Sequence, residues 1–248
     1  MSDAAQDLSG LTIVIAGASS PAGIACARQF AGAGARVVAV GSNAGRLEGA
    51  LSDVDGVVLK TCDLSQAEDV QKLAAGLRED RLMPDGLIHL VGGWRGGDGI
   101  AGQSDGDYDF LHRQVVTTLR NTSRAFLPDL AASTRGRLAI VSATAVDRPT
   151  AGNASYAAVK SAAEAWVRAI ADQFSPRHSG NDDDTPATAA ACIVVVKALV
   201  DDAMRAGSPE RRFPGHTDVR HVATTMAGLF TEDAAALNGR RVMLADLP

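Results

Sequence analysis

Several features of soluble binding and metal proteins are missing from this 248-residue chain. Its Lys and Arg residues are scattered and outnumbered by Asp and Glu, 24 against 29, for a formal net charge of −5. No basic face is therefore expected for a polyphosphate backbone, and nucleic acid is excluded as a partner. Only three cysteines occur, Cys26, Cys62 and Cys192. They are far apart and without CxxC or Cys/His spacing, which excludes a disulfide framework and a zinc site and leaves three small core residues in a reducing compartment. No apolar run approaches membrane-spanning length, and the opening MSDAAQDLSG lacks the basic and apolar regions of a signal peptide. A cytoplasmic protein that does not engage membranes is expected.

The chain does have the balance of an ordinary globular protein, 46% apolar and 21% charged, with length enough for a sizeable core. Short β-rich runs alternate with alanine-rich amphipathic stretches: LTIVIAG from Leu11, ARVVAVG from Ala35, VVLKTCD from Val57, GLIHLVGG from Gly86, RLAIVSA from Arg137, ACIVVV from Ala191 and RRVMLA from Arg240. Continuous apolar strands separated by helices predict an α/β fold, a doubly wound parallel sheet of about seven strands in one domain over 1–248. The stretch SPRHSGNDDDTPAT at 175–188 interrupts this rhythm with proline, glycine and the run Asp182–Asp184, and is read as a flexible, acidic, solvated loop rather than a metal site.

The first strand leads into AGASSPAG, a turn of small residues opening a helix. A dinucleotide fold places its pyrophosphate at such a turn, because glycine lets the backbone approach and the helix N-terminus offers N–H groups and positive potential. Gly17 and Gly23 suit that role. Farther on, SYAAVK sets Tyr156 and Lys160 one helical turn apart on one face. These motifs resemble, in chain order, those of the short-chain dehydrogenase/reductase family, in its single-domain, shorter-chain subgroup. Its glycine loop TGxxxGxG is matched at Gly17 and Gly23, with Ala16 and Pro21 departing from it. CDLS matches the strand-three aspartate at Asp63, HLVGG stands for NNAG with Gly92 retained and His89 and Leu90 replacing the asparagines, and YAAVK matches YxxxK.

The resemblance implies an NAD(P)-dependent oxidoreductase with a degenerate catalytic tetrad, acting on a small carbonyl or alcohol substrate. Tyr156 would be the acid/base, with a phenol pKa lowered by the neighbouring Lys160, which would also hold the nicotinamide ribose. Implied cofactor contacts are Gly17, Ser19, Ser20, Gly23, Ile24, Ser42, Asp63, Leu64, Gly92 and Lys160. VGSNAGR, at the end of the second strand, has no carboxylate to hold the ribose hydroxyls of NAD, so the cofactor leans towards NADP(H), with Ser20, Ser42, Asn43 and Arg46 as phosphate partners. For Asn43 and Arg46, a helix cap and a solvated side chain are the competing readings.

Three family positions depart from the pattern. The family's serine, about thirteen residues before the tyrosine, falls on Ala143, flanked by Ser142 and Thr144. In a regular strand those two share a face opposite Ala143, and a bulge or lengthened connection would be needed to bring Ser142 to the catalytic position, where it is the favoured of the two. The relay asparagine falls on Val115. PG after the sixth strand reads Lys197 and Ala198, with Asp201 or Asp202 meeting the nicotinamide amide or capping the next helix. Trp94 and Arg95, in the glycine-rich loop after the fourth strand, are candidates to face substrate, though the tryptophan suits packing on its own loop. His89 and His112 are read as structural. The family also implies a homodimer or homotetramer, with Trp166 as an anchor or as plain packing. The eroded positions keep open a second reading, a non-catalytic dinucleotide-binding regulator or structural partner subunit.

Overall fold

The computed structural model describes residues 7–175 and 187–244. The Asp182–Asp184 run, and with it most of the expected acidic loop, lies outside them. Seven strands form one parallel sheet: β1 (Thr12–Ala16), β2 (Arg36–Gly41), β3 (Val57–Thr61), β4 (Gly86–His89), β5 (Arg137–Ala143), β6 (Ala190–Val196) and β9 (Arg241–Met243). Their order is β3-β2-β1-β4-β5-β6-β9. All seven sequence-predicted strands are present. A separate two-stranded parallel ribbon, β7 (Ala198–Val200) with β8 (His216–Asp218), is additional. Each of its strands is only three residues long, too short for a period-2 pattern to stand out in the sequence.

Alternation along the buried strands divides the core in two. Val14 and Ala16 of β1 and Leu138 and Ile140 of β5 face α3 (Ala67–Glu79), α5 (Thr118–Ala132) and α6 (Ala154–Gln173). Ile13 and Ile15 of β1 and Ala139 of β5 face α1 (Pro21–Gly32), α2 (Ala44–Leu51), α8 (Val219–Gly228) and α9 (Ala234–Leu237). Both faces being covered, the inner strands are largely apolar, as a doubly wound sheet requires, and the edge strands β3 and β9 are only partly buried. α4 (Asp105–His112) runs through a π-helical turn, Arg113–Thr117, into α5. α7 (Asp202–Gly207) links the ribbon strands. β1 and β4 are neighbours in the sheet although α1, β2, α2, β3 and α3 intervene in sequence, so the crevice at their carboxyl ends is the topological switch point where such folds take ligands.

Candidate active site

At that switch point the chain turns from β1 into α1 within four residues. Ser20 is the N-cap of α1: its hydroxyl donates to the Gly17 carbonyl at 2.8 Å and accepts from the Gly23 N–H at 3.1 Å. Pro21 occupies the first helical position, where its missing N–H and fixed φ do no harm. Gly17 has φ +85°, and a Cβ on Gly23 would stand 2.4 Å from the Gly17 carbonyl oxygen. The two matched glycines are thus required by the turn itself. Ser19 and Ile24 flank it half-buried.

β2 ends in Gly41, followed by exposed Ser42 and then by Asn43, which caps α2 by accepting from the Arg46 N–H at 2.9 Å. Of the two readings for Asn43, the cap is the one observed. Beyond β3, Asp63 accepts from the Ser65 N–H and hydroxyl at 2.9 and 2.8 Å. The carbonyls of Leu64 and Ser65 accept from Asn121 Nδ2 at 3.0 and 3.1 Å, so this asparagine of α5 pins the loop bearing Asp63. Nothing in the sequence spacing singled out Asn121 for that task, because the contact spans 57 residues.

A cavity of about 1140 Å³ opens beside the start of α1. Its lining includes Ser20, Gly92, Trp94, Ser142, Thr144, Arg148, Tyr156, Lys160 and Lys197. Just ahead of Tyr156, Thr150 and Asn153 form a reciprocal capping box on the 3-10 turn Ala151–Asn153, from which α6 is launched. Gln103 ties that launch site to the loop after β4, donating to the Gly99 and Ala151 carbonyls at 3.1 Å and accepting from the Ser155 N–H at 3.2 Å. This positioning residue also escaped sequence reasoning, since a lone glutamine in a loop carries no motif.

Lys160 is buried and donates to the Val141 carbonyl at 2.8 Å, with its Nζ 5.9 Å from the Tyr156 ring centre. A Cβ on Gly92 would meet only this Nζ, at 3.8 Å, so Gly92 leaves open space above the lysine. Burial pushes the Tyr156 phenol up to about 12 and Lys160 down to about 8, the latter opposed by Glu164. The expected lowering of the phenol by the ammonium is therefore not found: desolvation of the phenolate raises it instead.

β5 runs in unbroken register against β6, Ser142 opposite Val195 and Ala143 opposite Val196, without the bulge that sequence reasoning required to move Ser142. Ala143 is buried and does not line the cavity. Ser142 reaches towards α6, and its hydroxyl donates to Glu164 Oε1 at 2.7 Å. Thr144, at the start of a 3-10 turn, lines the cavity with no hydrogen-bond partner for its hydroxyl among the described residues. Val115 lies buried in the π-helical turn and has no proton to relay.

His89 is buried, with Nε2 3.1 Å from Thr118 Oγ1 and Nδ1 3.4 Å from Thr122 Oγ1. Both threonine hydroxyls also donate to backbone carbonyls, Thr118 to Gln114 and Thr122 to Thr118, so His89 sits inside a closed polar network. Burial, with a smaller contribution from Lys160, pushes His89 down to about 3. His112 stacks on Tyr108. Asp201 caps α7 by accepting from the Met204 N–H at 2.7 Å, and Asp202 pairs with Arg205 and Arg220. Arg95 is held by the Trp94 carbonyl, by Asp107 at 3.4 Å and by the Phe110 ring. Trp94 is 65% exposed and lies over Gly96, at the cavity edge. Trp166 donates to Ser123 Oγ on α5 at 3.0 Å. No described helix is long and apolar enough to cross a membrane.

A doubly wound sheet with a glycine turn at its switch point and a Tyr/Lys pair in the adjoining cavity defines the dinucleotide-binding α/β class. The family model for short chain dehydrogenase matches residues 11–178, and the chain belongs to that family. Among solved structures it is similar to an NADPH-bound short-chain oxidoreductase from Pseudomonas aeruginosa PAO1 that contains an atypical catalytic centre. The identity is 18%, the coverage 98% of each chain and the TM-score 0.83, and an apo structure of such an oxidoreductase from the same strain gives the same figures. A metagenomic short-chain oxidoreductase in complex with NADP is 23% identical, with 96% of this chain and 98% of that one covered and a TM-score of 0.77.

Proposed function

We propose that the protein is an NADPH-preferring carbonyl reductase in which Tyr156 donates the proton and Lys160 supports it. The observation that carries this reading is the Tyr156/Lys160 pair in a cavity that adjoins the α1 N-terminus. A nicotinamide cofactor supplies the hydride in this chemistry. The residues fit such a group: the Ser20-capped turn, the open space over Gly92 and the buried ammonium of Lys160 lie along one cavity. Gly17, Ser19, Ser20, Gly23 and Ile24 would cradle the phosphates, Asp63, Leu64 and Gly92 the adenine and ribose side, and Lys160 the second ribose. Ser42, with no carboxylate beside it, favours a 2′-phosphate over two free hydroxyls, and similar folds with NADPH or NADP bound agree with that lean.

A phenol raised to about 12 stays protonated at neutral pH, which suits donation to the oxygen of a carbonyl being reduced rather than abstraction from an alcohol. Thr144, whose hydroxyl is uncommitted, is the better donor to that oxygen, while Ser142 serves Glu164. The Ala158, Ala162, Ala165 and Ala169 positions are exposed along α6 and suit close approach of a second copy, so a homodimer or homotetramer belongs to the same reading, as does a cytoplasmic location.

The committed Ser142 proton and the apolar Val115 favour one other reading, a dinucleotide-binding regulator without turnover. The experiment is a titration with NADPH and NADH followed by thermal stabilisation, then a carbonyl-substrate screen with Tyr156→Phe as control. Preferential NADPH binding with turnover that Tyr156→Phe abolishes supports the reductase. Binding with turnover indifferent to Tyr156→Phe, or no turnover, sinks the assignment of the proton donor.

A further inference from the structure

Glu164 is the one acidic residue of α6 that is fully buried. It lies one helical turn beyond Lys160 and two beyond Tyr156, so the three form a ridge towards the sheet. Its Oε1 accepts from Ser142 Oγ at 2.7 Å and from Arg241 at 3.3 Å, and its Oε2 from Arg168 at 2.7 Å. Arg241 Nε stands 3.1 Å from Oε2 without hydrogen-bond alignment. Arg241 itself bridges from β9 to Asp147, in the turn after β5. A buried carboxylate carries a desolvation cost that an apolar residue, like its neighbours Ala163 and Val167, would avoid. Neither family resemblance nor plain packing accounts for it.

We propose that Glu164 is a positioning residue for Lys160: through Ser142 it clasps α6 to the end of β5 beside the Val141 carbonyl that holds the lysine, and it sets a buried negative charge one helical turn from the ammonium. Lys160 bonds to the Val141 carbonyl and Glu164 to the Ser142 hydroxyl, so consecutive residues of β5 receive the two charged side chains of the ridge. Around Lys160 stand His89 from β4, neutral at physiological pH, and Tyr156 from its own helix. The charged side chains about Glu164 are Arg168, Arg241 and Asp147, and Arg148 and Lys197 line the shared cavity. Burial already brings Lys160 down to about 8, and Glu164 acts against it. Loss of the carboxylate would leave Arg168 without its ion-pair partner and Arg241 with Asp147 alone, driving the lysine lower still.

The inference takes from the reductase reading only what Lys160 is for; the titration of Lys160 is independent of it. The test follows the Lys160 Nζ and Cε signals by NMR in lysine-labelled protein from neutral to alkaline pH. The wild-type midpoint is expected near about 8. In Glu164→Gln it falls by about one unit or more, the usual effect of losing a nearby opposite charge, and Glu164→Asp restores most of it. Arg168→Gln, a half-exposed change that the fold should tolerate, moves it upward by removing a cation. A midpoint unmoved in Arg168→Gln and, where it folds, in Glu164→Gln overturns the proposal. If turnover is found, the alkaline limb of kcat shifts with the NMR midpoint; shifted midpoints without turnover leave the counter-charge standing and remove the reductase.

Discussion

Lys160 of α6 donates to the carbonyl of Val141 on β5 at 2.8 Å, a bond that fixes the helix carrying Tyr156 to the carboxyl end of the sheet. The side chain following in β5, Ser142, is drawn to the same helix by Glu164. The hydroxyl nearest the family's serine position on this face is therefore occupied, and the free one is Thr144.

Ser142 and Thr144 are separable by substitution. Thr144→Val should lower kcat by about ten- to a hundredfold with little change in stability, as expected for removing one hydrogen bond that forms at the reacting oxygen. Ser142→Ala should instead lower stability by about 1–3 kcal/mol, the range for a buried hydrogen bond to a charged group, with a smaller effect on kcat. Steady-state kinetics beside urea unfolding reads both. A kcat loss confined to Ser142→Ala would return Ser142 to the active position.

Gly23→Ala should damage the cofactor turn. The added Cβ would sit 2.4 Å from the Gly17 carbonyl and 2.6 Å from Ala18 Cα, both backbone atoms that cannot swing aside. About 1–3 kcal/mol of stability is expected to be lost to this overpacking, together with most NADPH affinity. Thermal shifts with and without NADPH measure the two effects; a variant with unchanged Tm and affinity would show that the turn can open.

His89 makes stability depend on acid. Its folded pKa is lowered from 6.5 to about 3, so the unfolded chain binds the proton more readily. The stability this neutral histidine contributes is fully present above pH 6.5 and is lost as pH falls through about 3. The loss is on the order of 5 kcal/mol. His89→Gln, which retains an amide donor for Thr118, should flatten urea midpoints between these limits; an equally steep decline in the variant would place the acid sensitivity elsewhere.

The inner strands were legible because they are buried on both faces and read as unbroken apolar runs such as TIVIA or AACIVVV, while the half-exposed edge strands VVLKT and RVM were read from β-branched residues and their place in the alternation. The turn at Gly17 and Gly23 was legible because its geometry admits almost nothing but glycine. The ribbon of β7 and β8 was not, since three-residue strands joined across fifteen residues leave no periodic trace.

By itself the sequence determined the alternation of strand and helix, the place of the Tyr156/Lys160 pair on one helical face and the lack of a carboxylate after β2. These are local properties, set by side-chain period and residue type. The tertiary structure alone decided that the phenol sits high because it is buried, that Ser142 is bound to Glu164 and that Asn121 and Gln103 hold the loops at the site. Those depend on desolvation and on contacts between residues tens of positions apart, and no local pattern encodes either.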